Sequence, residues 1–215
     1  MTATEFFTAG TLGDTYIAVC KLCKIDGPVK VYHKTIHTYW HKEITDIFSL
    51  RPNTEVEFTD VERKDLPEIT SDVHDQPMEF FPSWSVKSKL VVLPPYVVFQ
   101  PHAGKPFGFN EKHIPIATLQ VLVDQLQCRG VIIGTDKSYS EVHGKKCINL
   151  IGKTNLYDCM NLIKKAERFI GPEGLMAFVA LSYKKDSRIF FKEQEAVNKR
   201  ILNSPWAETG LLFSI

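Results

Sequence analysis

Short apolar runs and longer stretches with helical spacing succeed one another along nearly the whole chain. In the first half the pattern predicts strands at Glu5 to Ala9, Val29 to His33 and Glu55 to Thr59, with helices from about Asp14 to Ile25 and Thr38 to Leu50 between them. Residues Glu62 to Ser88 lose this periodicity and carry Pro67, Pro77 and Pro82 among many charges, which reads as an irregular excursion. Pro94-Pro95 reads as a linker, and a second series follows it. Strands are expected at Tyr96 to Gln100, Gly130 to Gly134, Cys147 to Ile151, Phe169-Ile170 and Arg188 to Phe191. Helices are expected at Pro115 to Gln127, Leu156 to Ala166, Glu173 to Leu181 and about Glu193 to Leu202. Strands separated by helices of this length imply parallel sheets with right-handed crossovers. The expectation is an α/β protein of two Rossmann-like domains, residues 1–94 and 95–215, binding ligands at the carboxyl ends of the strands in a cleft between them.

Two junctions in this pattern carry candidate chemistry. Glu167 to Met176 runs from a short apolar strand through Gly171-Pro172-Glu173-Gly174 into an apolar helix. Pro172 has no amide hydrogen and Gly174 lets a ligand approach the backbone, so the amides of Gly174, Leu175 and Met176 are expected to face an anion such as phosphate. The Glu173 carboxylate, repelled by phosphate, suits ribose or sugar hydroxyls instead. Phe6 to Asp14 repeats the arrangement near the other end, with Gly10 and Gly13 in the turn.

Composition narrows the function. A chain of 215 residues with 44% hydrophobic content buries real cores. No run approaches the ~18 apolar residues of a membrane span, and the first residues do not read as a secretory signal, so a cytoplasmic protein is expected. A net charge of +1 argues against long stretches of bound duplex DNA. Five cysteines without a disulfide spacing fit a reducing compartment. Cys20 and Cys23 form a CxxC, but they fall about two turns into a predicted helix, away from the N-terminus where a redox pair belongs, and read as core. His33, His37 and His41 repeat every four residues, yet His33 ends a predicted strand and no carboxylate completes the set, so no metal is expected. His37 and His41, with Tyr39 and Trp40, line a ligand pocket or cover the outer face of their helix. Phe80, Phe81 and Trp84 offer a platform for a ring or a satellite core under the loop.

Three blocks then bear a family likeness: Gly10-Thr-Leu-Gly13-Asp14; Val98-Phe-Gln-Pro-His102-Ala-Gly104 with Lys112-His-Ile-Pro115; and Phe169-Ile-Gly-Pro-Glu173-Gly174-Leu-Met-Ala177-Phe-Val-Ala180. Leu150-Ile-Gly-Lys-Thr154 fits between them. In order and spacing the chain resembles a very short GT-B glycosyltransferase, most similar to the heptosyltransferase-like group, family 9. The resemblance covers residues about 96 to 191 and, in the first half, only the first strand and turn. Ala177 stands where the family has a histidine, and Glu173 where it has an aspartate.

The resemblance implies an inverting, metal-independent transfer from a nucleotide-sugar, which is a co-substrate and not a resident cofactor. Asp14 takes the part of the base, a role open to an ionised carboxylate; the same residue also reads as a helix N-cap. Lys112, and as a second candidate Lys105, stands against the diphosphate, where positive charge stabilises the leaving group. His102 lies in the donor loop, while Glu173, Gly174 and Leu175 form the donor cradle. The acceptor implied is a glycan or a hydroxymethylated base in phage-type DNA. The alternative is a nucleotide or nucleotide-sugar binding protein of the same fold without catalysis.

Overall fold

The computed structural model describes residues 2–34, 38–70, 82–103 and 112–191, and the backbone alone of 210–214. The helix expected at Glu193 to Leu202 lies outside these residues, as do Lys105, His37, Phe80 and Phe81.

The first region is a parallel sheet in the order β1 (Thr4–Ala9), β2 (Val29–Lys34), β3 (Thr54–Phe58). Helices α1 (Leu12–Leu22) and α2 (His41–Phe48) cross between its strands. In β2 the residues alternate: Val29, Val31 and His33 are buried against the helices, whereas Lys30, Tyr32 and Lys34 point to the other face. That second face stays wet. Lys30 pairs there with Glu57 at 2.8 Å, so charge replaces the apolar cover that parallel sheets normally carry on both sides.

The second region holds β4 (Tyr96–Phe99), the hairpin strands β5 (His102–Ala103) and β6 (Lys112–His113), α3 (Ile116–Asp124), β7 (Arg129–Ile132), β8 (Cys147–Asn149) and α4 (Leu156–Lys165). Then follow β9 (Arg168–Pro172), α5 (Leu175–Ser182), β10 (Asp186–Phe191) and β11 (Gly210–Ser214). Six parallel strands lie in the order β11-β10-β9-β4-β7-β8. Counted within the sheet from the β8 edge this is 3-2-1-4-5-6, the doubly wound order whose ligands bind where the sequence of strands reverses. That point lies between β4 and β9. Both faces of the central strand β4 are dry: Val97 and Phe99 pack with Leu119, Val123 and Tyr139, while Tyr96 and Val98 join a core containing α4 and α5.

This last core is continuous with that of the first region. Buried Tyr16 on α1 shares a 2.6 Å hydrogen bond with Ser182 on α5, and Trp84 Nε1 donates to the Tyr16 hydroxyl at 2.9 Å. The Trp84 carbonyl in turn accepts from the Tyr183 hydroxyl at 3.0 Å. Of the two roles read for Trp84, the structure gives it the core one, since it is 8% exposed.

Several boundaries differ from expectation for physical reasons. Strand β9 continues through Gly171 and Pro172 because Pro172 pairs in register with Phe190, and Glu173 N–H still donates to the Phe190 carbonyl at 2.8 Å. Helix α5 therefore starts two residues later than expected. Helix α1 starts earlier, with Thr11 as its N-cap, so Asp14 sits inside the first turn and is not itself the N-cap. The helix expected from Thr38 opens with a 3₁₀ turn, Thr38–Trp40, before α2 begins at His41.

Candidate functional site

The turn between β1 and α1 is built around Asp14. Its Oδ2 accepts the Thr11 backbone N–H at 2.8 Å and the Thr11 hydroxyl at 2.9 Å, closing the first turn of the helix. Gly10 makes room for this. It has φ +113°, and a Cβ there would stand 2.6 Å from Asp14 Oδ2. The carboxylate is thus held at the carboxyl end of the sheet and at the positive end of α1.

The turn between β9 and α5 lies beside the strand reversal. Gly174 precedes α5, no side chain among the described residues caps the helix, and its first-turn amides belong to Leu175, Met176 and Ala177. A Cβ on Gly174 would stand 3.1 Å from that of Ala103 in the hairpin. Lys112 reaches across from the same hairpin to Glu173, Nζ to Oε2 2.5 Å. Glu173 is only 5% exposed, so its charge is compensated by Lys112 and by the adjacent start of α5. Lys112 and Glu173 were expected to serve phosphate and sugar separately; in the structure each is the other's partner.

The two turns meet. A Cβ on Gly13 would lie 3.7 Å from the Leu175 amide nitrogen and 3.4 Å from the Phe178 ring, so the starts of α1 and α5 abut directly. His102 pairs in register with His113 on the hairpin, one position along from the Ala103–Lys112 pair, so it faces the other side of the ribbon from Lys112 and, with His113, acts on Asp136. Sequence reasoning brought Asp14, His102, Lys112, Glu173, Gly174 and Leu175 forward without showing that the α1–α5 contact gathers the two turns. It missed Thr11, although a threonine three residues before an acid is a readable capping signal.

His33 is a further buried polar group at this end. Its Nδ1 lies 2.8 Å from the Thr8 hydroxyl, while Nε2 is buried without a partner among the described residues. Burial pushes its pKa down to about 4; the neighbouring His41 adds to the shift, and Asp14 opposes it. Among the described residues no group of three or more His, Cys, Asp or Glu side chains is placed to hold a metal ion. Cys20 is buried in α1 and Cys23 sits at its C-cap; burial raises both thiols, the opposite of what a redox pair needs. No helix among the described residues is long and apolar enough to cross a membrane.

No protein-family model matches the sequence, and a search of curated proteins finds no match. Solved structures do match. The ADP-heptose LPS heptosyltransferase II of E. coli superposes with a TM-score of 0.64 at 11% identity, over 98% of this chain and 90% of its own. A family 9 glycosyl transferase from Veillonella parvula gives 0.65 at 9% identity, over 99% and 86%. The iron-containing dodecameric glycosyltransferase TibC of enterotoxigenic E. coli gives 0.59 at 14% identity, over 100% of this chain but only 64% of its own. The chain has a GT-B-like α/β fold. At these identities the likeness is one of architecture: two sheet-and-helix regions, as the strand orders above also have it.

Proposed function

We propose that this protein is an inverting glycosyltransferase that uses a nucleotide-sugar donor. The observation that carries the reading is the abutment of α1 and α5, which sets the Asp14 turn beside an uncapped helix start flanked by Lys112. The first-turn amides of α5, with the dipole behind them, suit the donor diphosphate. Lys112 would turn from Glu173 toward the diphosphate as its charge grows on leaving, and Glu173 would accept from ribose or sugar hydroxyls. The acceptor hydroxyl oxygen forms the new bond to the anomeric carbon while the bond from that carbon to the diphosphate breaks. Its proton passes to Asp14. The cationic work is assigned to Lys112 and the helix amides, with His102 at the rim. The two regions, residues 1–94 and 95–215 in this reading, would supply acceptor and donor sides respectively. Similarity in fold to proteins named as glycosyltransferases supports the reading.

A second reading, a nucleotide-binding protein without transfer activity, draws on one observation: Lys112 is already engaged by Glu173 and Asp14 by Thr11. Donor consumption separates the two. Wild-type protein incubated with ADP-, UDP-, GDP- and CMP-linked sugars and candidate acceptors should release the nucleoside diphosphate, or CMP, from one donor class. Asp14→Asn should lose at least ~100-fold in rate, within the range for removal of a general base, with donor binding kept. Binding without any release, in wild type as in the variant, would favour the second reading.

A further inference from the structure

Beside the Asp14 turn, the start of α2 and the end of β3 form a cluster of rings that the donor chemistry leaves unused. His41 stacks on Phe58 with centroids 3.7 Å apart and planes 12° from parallel. Tyr39 and Trp40 lie edge to face at 5.1 Å, and Tyr39 is 53% exposed. Under them sits His33, its ring edge-on to Phe58 at 6.1 Å and to Phe48 at 6.0 Å. Thr8 holds it through Nδ1, and its buried Nε2 has no partner among the described residues.

Thr8 lies two residues before Gly10, and its register partner is His33. The cluster therefore shares the carboxyl end of the first sheet with the turn that carries Asp14. We propose that Tyr39, Trp40, His41 and Phe58 form the acceptor shelf and receive a neutral sugar ring, whose hydroxyl is presented to Asp14 above His33. This inference rests on the glycosyltransferase reading.

The chemistry of the shelf selects the ligand. Aromatic faces carry partial negative charge and pack well against the C–H face of a pyranose. A phosphorylated or carboxylated acceptor would need cations, and none of the four shelf residues supplies a fixed one. A nucleobase also stacks on aromatic rings, yet its strand requires a basic groove along the backbone, and the shelf residues are uncharged or imidazole. An unsatisfied buried nitrogen is costly to keep, which is consistent with a site that a hydroxyl completes.

The test uses the full chain and methyl glycosides of glucose, galactose, mannose and N-acetylglucosamine, followed by saturation-transfer NMR and titration calorimetry. At least one glycoside should bind saturably, and Tyr39→Ala should weaken it at least ~10-fold, the scale of one lost ring contact. Tyr39 is exposed, so the variant is expected to fold; Trp40→Phe, which keeps a ring, should retain most of the affinity. Nucleotide-induced thermal shifts should be the same in Tyr39→Ala as in wild type. Saturable binding insensitive to Tyr39→Ala, or no binding by any glycoside, would overturn the shelf. Salt-sensitive binding of oligothymidylate that Tyr39→Ala abolishes would overturn the sugar assignment. Because nucleotide shifts are read separately, a failed donor reading and a failed shelf give different results.

Discussion

His33 is the residue whose environment departs furthest from water near the candidate site. It is fully buried, and its pKa is pushed down to about 4 from an ordinary ~6.5. The folded state therefore binds fewer protons at this position than the unfolded chain. The corresponding stability is fully present above about pH 6.5 and is lost as pH falls through about 4. The loss should approach ~3 kcal/mol, from the size of the shift. Urea denaturation at pH 7.5 and pH 4.5 should show it in wild type and show a smaller difference in His33→Gln. An equal pH dependence in the two proteins would assign the effect to other groups. Lys112 and Glu173 raise a related issue at the same scale. Removing Lys112 alone leaves a buried carboxylate without its cation, so Lys112→Gln is best compared with the double variant Lys112→Gln/Glu173→Gln, in which that penalty is absent.

At the scale of elements, α1 shows what the sequence reveals and what it hides. Its start was placed within two residues, because the Gly10-to-Gly13 turn and the apolar face after it are local signals; the Thr11–Asp14 capping pattern, which was missed, accounts for the remaining two. Its far end is fixed by a partner no periodicity announces. Arg51 is 7% exposed and donates to the carbonyls of Leu22, Ile25 and Gly27 at 2.9, 2.7 and 2.7 Å. It thereby satisfies groups that a helix end otherwise leaves open, and places positive charge at the negative pole. Arg51→Ala should cost about 2–4 kcal/mol by thermal or denaturant unfolding, since several buried acceptors lose their donor together. A cost below about 1 kcal/mol would mean that water replaces the guanidinium without penalty. The alternating regions and most strands and helices among the described residues were legible because their signals are local. The hairpin β5–β6 was not, as two-residue strands have no period to detect, and β11 was not anticipated either. The Lys112–Glu173 pair was not either, because only the strand reversal brings residues 61 apart together.

Across the whole molecule, the two large sheets share one core and a hydrogen-bonded strap running from Ser182 through Tyr16 and Trp84 to Tyr183. Heat or denaturant should unfold both regions in one transition, with near-ultraviolet and far-ultraviolet signals coinciding. Tyr16→Phe, which strips the shared hydroxyl from Ser182 and Trp84, should lower that single midpoint by an amount equivalent to about 1–3 kcal/mol. Two separated transitions would contradict a common core. The same unity places the β9–α5 turn against the Asp14 turn, and in the proposed function this junction holds a nucleoside diphosphate. The most direct test is a thermal-shift titration with ADP, UDP, GDP and their sugar conjugates, and with CMP-linked sugars, each variant compared with its own unliganded midpoint. A ligand at ~100 times its dissociation constant should stabilise wild type by ~2.7 kcal/mol, and the shift should shrink clearly in Lys112→Gln/Glu173→Gln. Equal shifts in wild type and the double variant, or none with any nucleotide from folded protein, would contradict the account.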